Sequence, residues 1–134
     1  PGKLIVKGIM DAEDARHAVD AGADAIIVSN HGGRQLDGAP ASIVALPHIV
    51  EAVGELVEVH MDGGIRSGQD VLKAYALGAR GTYIGRAMLY GLGALGEEGV
   101  ATVLRIVRNE LELSMAFCGK TDIRDVDRSI LFQP

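Results

Sequence analysis

The segment from Ser29 to Gly38, SNHGGRQLDG, contains several residue types that can take part in catalysis or binding. Few bulky side chains surround them. His31 and Arg34 lie close together, and the two glycines between them leave room for a flat ligand. A histidine can act as a general base near neutral pH, and an arginine can hold a carboxylate with two hydrogen bonds. An isolated His31 would be interpreted as structural, but its combination with Arg34 predicts a catalytic site.

Two more side chains are predicted to face this site. Lys7 ends the apolar run LIVK, and Ser29 follows the apolar run AIIV. A lysine cation can stabilise negative charge on a bound ring, and a serine hydroxyl can donate to a polar ring atom. The pattern therefore favours a ring-shaped ligand next to His31.

Two glycine- and arginine-containing segments, DGGIRSG (62–68) and IGRA (84–87), indicate a phosphate site. Glycines let backbone N–H groups approach an anion, and a helix N-terminus adds partial positive charge. Arg66 and Arg86 can each bind a phosphate through two hydrogen bonds. The alternative is that the glycines only end helices and the arginines are surface cations, but two such segments in series favour the phosphate site.

Alternating apolar runs and helical patterns surround these segments. We predict strands at 4–6, 25–28, 58–61 and 81–84, and helices at 12–21, 47–53, 68–77 and 97–117. We also predict a turn at 86–92 and an irregular tail at 121–134. Asp11 and Ser67 are expected N-caps, and Pro47 suits a first helical position.

Strands alternating with helices imply a parallel sheet, either open and doubly wound or part of a (β/α)₈ barrel. Polar clusters after every strand favour the barrel, whose loops converge on one centre.

Composition excludes several classes of protein. The chain has 134 residues, which suits one domain, and its net charge of −5 argues against a nucleic-acid partner. No apolar run approaches the roughly 20 residues needed to span a bilayer, and no signal peptide is visible.

The single cysteine, Cys118, fits a reducing intracellular setting. We expect a cytoplasmic location, with peripheral attachment to the inner membrane as the alternative for the full-length protein. We expect no metal, because His31, His60 and Asp62 lack a tight ligand spacing.

The strings LIVKG, AIIVSNHGGRQLDG, HMDGGIRSGQDVLKAYALGA and YIGRAMLYGLG resemble the FMN-dependent 2-hydroxy acid dehydrogenase and oxidase family. This family includes glycolate oxidase, L-lactate dehydrogenase and mandelate dehydrogenase. The resemblance runs from residue 1 to about residue 117, and it implies oxidation of an L-2-hydroxy acid to the 2-oxo acid with FMN as the cofactor. The electron acceptor, and the choice between hydride transfer and a carbanion mechanism, stay open.

The resemblance also implies roles for individual residues. His31 would be the catalytic base and would contact the substrate, and Arg34 would pair with the substrate carboxylate. Lys7 would stabilise the reduced flavin, Ser29 would bind its ring, and Asp62 would contact the ribityl chain. The phosphate would be enclosed by a further group of cofactor-binding residues: Gly63, Gly64, Ile65, Arg66, Gly85 and Arg86.

The resemblance covers only the second half of the family's fold. It implies an α/β chain that is the C-terminal half, strands 5–8, of a (β/α)₈ TIM barrel, with residues 1–134 as one unit and 117–134 as a tail. The missing N-terminal half would be a partner, since half a barrel has two open edges. We also expect a homo-oligomer. Membrane association cannot be read from these residues. The alternatives are a non-catalytic half-barrel that binds phosphate or pairs with another half, and another FMN barrel oxidoreductase.

Overall fold

The computed structural model describes residues 2–132; Pro1, Gln133 and Pro134, which belong to the predicted unit and its tail, lie outside them. Strands and helices alternate along the chain. The strands are β1 (Ile5–Ile9), β2 (Ala25–Val28), β3 (Glu58–Met61) and β4 (Gly81–Thr82). The helices are α1 (Ala12–Asp20), α2 (Ser42–Val53), α3 (Gly68–Ala76) and α4 (Arg86–Phe117). Three short 3₁₀ turns lie at His31–Gly33, Ile123–Asp125 and Arg128–Ile130. The fold is therefore α/β.

All four strands are parallel and lie in the sheet in the order of the sequence, β1-β2-β3-β4. Each strand is joined to its neighbour by a segment that contains a helix, because parallel neighbouring strands need a crossover connection. The carboxyl ends of the strands therefore lie along one edge of the sheet. The loops that follow the strands are brought together there.

Both predicted N-caps are present. The Asp11 side chain accepts hydrogen bonds from the backbone of Glu13 and Asp14 at the start of α1. Ser67 and Asp70 form a reciprocal capping box at the start of α3. Each cap satisfies backbone N–H groups that the first helical turn leaves without partners, which fixes where the helix begins.

One face of the sheet carries the hydrophobic core. Alternate strand residues such as Ile26, Val28, Val59 and Met61 are buried against the helices. The helices contribute residues at helical spacing, including Leu46 of α2, which is fully buried. On the opposite face Ala25 and Ile27 of β2 are also buried, but the outer strand β1 has less cover.

The opposite face is partly open. Ile5 of β1 is 47% exposed, although it lies within a strand. Within residues 2–132, β1 pairs only with β2, and β4 pairs only with β3, so both outer strands have a free edge. This face also carries polar side chains, including Lys7 and His60.

Helix α2 begins earlier than predicted. It starts at Ser42, so Pro47 lies inside the helix and not at its first position. Proline cannot donate the hydrogen bond that a residue there would make to the carbonyl of Ile43. Burial of Ala45, Leu46 and Ile49 on one side of α2 offsets this loss, since tertiary packing supplies most helix stability in proteins.

The predicted turn at 86–92 is wrong, because this segment is the first part of α4. The backbone leaves helical geometry only at Leu95 and Gly96, where φ is −140° and 60°. Beyond this kink the helix folds back, so that Gly91 contacts Gly99 closely. A β-carbon at Gly91 would lie 2.6 Å from the Gly99 carbonyl oxygen. The glycines thus permit contact between the two helical segments, whereas the sequence pattern had indicated a loop.

Two smaller differences concern the C-terminal third. Strand β4 contains only Gly81 and Thr82, and the tail, predicted to be irregular, contains two single-turn 3₁₀ helices. Asp122 and Asp127 start these turns by accepting bonds from backbone N–H groups two residues later. No helix within the described residues has the length and apolar character needed to cross a membrane.

Candidate active site

The predicted site residues meet at the carboxyl ends of the strands. They line a cleft of about 550 Å³, a size typical of ligand pockets. Ser29 is the exception, because it is buried beneath the cleft, with 2% exposure. The predicted residues that line the cleft are Lys7, His31, Arg34, Asp62, Gly63, Gly64, Ile65, Arg66, Gly85 and Arg86.

Lys7 and Asp62, which line the cleft, form a connected cluster with the buried Ser29. Lys7 Nζ donates to Ser29 Oγ at 2.9 Å and lies 2.9 Å from Asp62 Oδ2. These three residues follow one another across β1, β2 and β3, so the parallel sheet itself brings them together. An ammonium group has three donors, and this cluster uses two of them, which leaves one N–H of Lys7 for a ligand.

Two atoms of this cluster have unused hydrogen-bonding capacity. Asp62 Oδ1 is buried and has no partner among the described residues. Ser29 Oγ accepts from Lys7 Nζ and from the His31 backbone N–H at 3.2 Å, so its own O–H is free to donate. Buried polar atoms are normally paired, so an unpaired acceptor at a cleft fits a ligand with a hydroxyl group. The ribityl chain of FMN carries such hydroxyl groups.

The N-terminus of α3 is less available to an anion than the sequence indicated. The Arg66 and Ser67 backbone N–H groups both donate to Asp70 Oδ2 at 3.0 Å. The Gly68 N–H donates to Glu110 Oε2 at 2.9 Å. Carboxylates of the chain itself therefore occupy these donors, and the positive end of α3 is already neutralised.

Helix α4 places a free positive helix end at the cleft. Its N-cap is Gly85, which has no side chain and makes no side-chain capping bond. The first N–H groups of α4 are then available to a ligand, and a phosphate is well suited to them. Gly64 and Gly85 face open space where a β-carbon would project, and Arg66 and Arg86 are exposed beside it. This combination is a suitable cradle for a phosphate group.

His31 and Arg34 are held on a tight turn after β2. His31 is exposed and has a φ of 59°, the only positive φ of a non-glycine residue in the range 2–132. Arg34 is exposed as well and follows the 3₁₀ turn His31–Gly33. Both side chains line the cleft and are within reach of a ligand bound there.

Ile65 differs from the other predicted residues. Its side chain is 5% exposed and belongs to the hydrophobic core. Little of this residue is therefore accessible to a cofactor. The sequence alone did not separate this core residue from its polar neighbours in the DGGIR string.

Tyr83 lines the cleft and was not predicted as a site residue. Its hydroxyl lies 2.8 Å from His60 Nδ1, and His60 Nε2 lies 3.1 Å from Glu58 Oε2. Within a short apolar run, a tyrosine looks like a core residue, which is why the pattern gave no signal.

No group of three or more His, Cys, Asp or Glu side chains in the described part of the chain could hold a metal ion.

Residues 1–133 match the model of a family described as FMN-dependent dehydrogenase. The chain is 52% identical over 130 residues to an L-lactate dehydrogenase of Caulobacter sp. (strain K31), covering 97% of the chain and 34% of that protein. It is 52% identical to glycolate oxidase 1 of Oryza sativa subsp. indica, covering 96% of the chain and 35% of that protein. Its curated relatives are therefore about three times its length.

A solved structure gives the same result. The crystal structure of the monotopic membrane protein (S)-mandelate dehydrogenase superposes with a TM-score of 0.96 at 43% sequence identity. The superposition covers 100% of this chain and 35% of that structure. The similarity therefore extends through all the secondary structure described above, including the loops that form the cleft.

Proposed function

Because the chain belongs to the FMN-dependent dehydrogenase family, we propose that it supplies the catalytic base and the FMN phosphate site for oxidation of an L-2-hydroxy acid to the 2-oxo acid. The substrate would be of the lactate, mandelate or glycolate type. The observation that carries the proposal is the convergence of His31, Arg34 and Lys7 on one cleft with two glycine-arginine loops.

For the architecture, the proposal is that residues 1–134 form the C-terminal half, strands 5–8, of a (β/α)₈ barrel, with 117–134 as its tail. The sequential parallel order of the four strands supports it, since neighbouring barrel strands follow one another in the same way. The open face and free edges of the sheet also support it. The N-terminal half of the barrel would cover that face.

The residues present fit FMN. Asp62 would accept a hydrogen bond from the ribityl chain through its unpaired Oδ1, and Ser29 would donate its free O–H to the flavin ring. The phosphate would lie between Gly64 and the N-terminus of α4, with Arg66 and Arg86 beside it. When bound, FMN takes up the two electrons that the substrate loses.

The side chains of the chain would perform the remaining steps. Arg34 would fix the substrate carboxylate through two hydrogen bonds, which orients the α-carbon. An imidazole nitrogen of His31 would accept a proton from the substrate as the 2-hydroxy acid becomes a 2-oxo acid. The third N–H of Lys7 would stabilise negative charge that develops near it. Asp62, which is ion-paired to Lys7, would keep that ammonium group in place.

A second candidate function is a non-catalytic half-barrel that pairs with another half. The exposed face of the sheet, with Ile5 at 47% exposure, favours it. Another FMN barrel oxidoreductase is a weaker alternative, because a phosphate site alone does not require His31 and Arg34.

The test is a chimera in which this chain replaces the matching third of the Caulobacter L-lactate dehydrogenase. We expect the purified chimera to be yellow, to retain FMN, and to be bleached by L-lactate under anaerobic conditions. The matched variants are Arg86→Gln, which should lower FMN content, and Arg80→Gln, an exposed arginine outside the cleft, which should not.

Two results would count against the proposal. A folded chimera that binds FMN but is not bleached by lactate, glycolate or mandelate would support the phosphate site and contradict the catalytic role. A folded chimera that binds no FMN, with the circular dichroism of the parent enzyme, would favour the non-catalytic half-barrel.

A further inference from the structure

The backbone that carries His31 has an unusual conformation. His31, Gly32 and Gly33 all have positive φ, at 59°, 69° and 73°. Glycine adopts this region readily, but a histidine adopts it at a cost that its surroundings must offset. The direction in which the His31 side chain projects therefore depends on whatever fixes this turn.

Asn30 makes the bonds that fix it. Its Oδ1 accepts from the Gly32 N–H at 2.9 Å, and its backbone carbonyl accepts from the Gly33 N–H at 3.0 Å. Its Nδ2 donates to the Pro40 carbonyl at 3.1 Å. One side chain thus closes the turn that contains His31 and ties it to the far end of the loop.

Ser42 anchors Asn30 from below. Its Oγ accepts the Asn30 backbone N–H at 3.2 Å, and the residue is 2% exposed. Gly63, in the next loop, packs against both. A β-carbon there would lie 2.9 Å from Ser42 Oγ and 3.0 Å from Asn30 Oδ1. Asn30 therefore lies in a tightly packed contact between two loops of the cleft.

We propose that Asn30, anchored by Ser42, is a positioning residue that holds His31 in the orientation needed to accept a proton. This inference rests on the proposed role of His31 as the base. Asparagine suits the position because it supplies an acceptor for Gly32 and a donor for Pro40 at the same time. Aspartate keeps the acceptor, and alanine keeps neither.

The first experiment uses the 134-residue chain without cofactor. Amide hydrogen exchange is measured for the wild type and for Asn30→Ala, Asn30→Asp and Gln35→Ala. Asn30→Ala should speed exchange at Gly32 about tenfold or more, since an amide that has lost its hydrogen bond exchanges without waiting for local opening. Asn30→Asp should leave Gly32 protected. Gln35 is exposed and makes no side-chain hydrogen bond among the described residues, so Gln35→Ala should change nothing.

The second experiment uses the lactate dehydrogenase chimera. Asn30→Ala should lower kcat by roughly 10- to 100-fold, because small misplacements of a reacting group have effects of that size. The KM for lactate and the FMN content should stay within about twofold, since Arg34 and the phosphate loops are unchanged. Asn30→Asp should recover part of the lost kcat.

The outcomes separate this inference from the proposed function. If His31→Asn abolishes bleaching while Asn30→Ala leaves kcat and Gly32 exchange unchanged, the positioning role is wrong and the base is retained. If His31→Asn itself leaves bleaching intact, His31 is not the base, and the positioning role is overturned with it. Equal loss of kcat and FMN content in Asn30→Ala would show a general structural role and would also overturn it.

Discussion

At the scale of the residue, the proposed chemistry depends on a histidine in a left-handed conformation. This conformation decides which substitution tests the base cleanly. Alanine at position 31 would lose the imidazole and would also strain the turn, whereas asparagine tolerates positive φ. In the chimera, His31→Asn should therefore leave FMN bound and slow its reduction by lactate by about 10² to 10⁴, the usual contribution of a positioned base. Stopped-flow absorbance of the flavin measures this rate, and near-normal bleaching would show that another group takes the proton.

Arg34 is expected to act on the substrate and not on the cofactor. Arg34→Lys keeps the charge and loses the planar pair of donors, so kcat/KM for lactate should fall about 10-fold to 100-fold. FMN content should be unchanged. Steady-state kinetics over a range of lactate concentrations gives the first quantity, and flavin absorbance of the purified protein gives the second. An unaltered kcat/KM would remove Arg34 from the substrate site.

Much of the candidate site could be predicted from sequence because its residues follow strand ends. Lys7, Ser29 and Asp62 are far apart in the chain, but a parallel sheet places the ends of neighbouring strands side by side. What the sequence could not indicate is how donors and acceptors are shared. The Gly68 N–H donates to Glu110, 42 residues further along the chain, so the α3 N-terminus has fewer free donors for a phosphate than the sequence indicates.

At the scale of the element, close contact between α3 and α4 fixes how the last two helices pack. Gly68 lies against the α4 backbone, and a β-carbon there would lie 2.5 Å from the Val107 carbonyl oxygen. We expect Gly68→Ala to lower the free energy of unfolding by about 3 kcal/mol, near the upper end of the cost of overpacking.

Gly93→Ala is the matched control. Gly93 lies within α4, and a β-carbon there would meet nothing within 4 Å. This substitution should raise the free energy of unfolding by about 0.5–1 kcal/mol, since alanine is the better helix former. Urea unfolding followed by circular dichroism measures both changes. Similar effects of the two substitutions would mean that the α3–α4 contact is looser than described.

The errors in the predicted elements have a common physical cause. Local signals placed the start of α2 at Pro47 and a turn at 86–92, and both positions are helical. In each case a residue that disfavours helix locally is tolerated because of a distant contact. The buried side of α2 compensates for Pro47. The close contact between Gly91 and Gly99 requires glycines, which in a sequence pattern otherwise indicate a loop. The capped helices α1 and α3, whose signals are local, were predicted correctly.

At the scale of the whole molecule, the sheet has more exposed apolar surface than a closed barrel would. Residues 1–134 alone should therefore self-associate, bind FMN weakly and oxidise no 2-hydroxy acid. Strand edges without partners pair readily with other chains, and Ile5 on the open face is 47% exposed. Size-exclusion chromatography with light scattering should show a dimer or larger species, and fluorescence quenching should show weak FMN binding.

Two substitutions test which surface causes the self-association. Ile5→Lys puts a charge on the open face next to the β1 edge and should shift the chain towards monomer. Leu56→Lys removes a comparably exposed side chain, 68% exposed, outside the sheet, and should leave association unchanged. A compact monomeric wild type that binds FMN tightly and oxidises lactate would show that this chain needs no other half.

The order of the strands also bears on how the chain folds while the ribosome is still making it. Because β1, β2, β3 and β4 are adjacent in sequence and in space, each new strand finds its partner already synthesised. Translation proceeds at roughly 5–20 residues per second, so the growing sheet waits on the order of seconds for each addition. Docking of a helix or strand takes far less time. The nascent chain therefore extends its sheet one strand at a time, and each new strand is added at the newest edge.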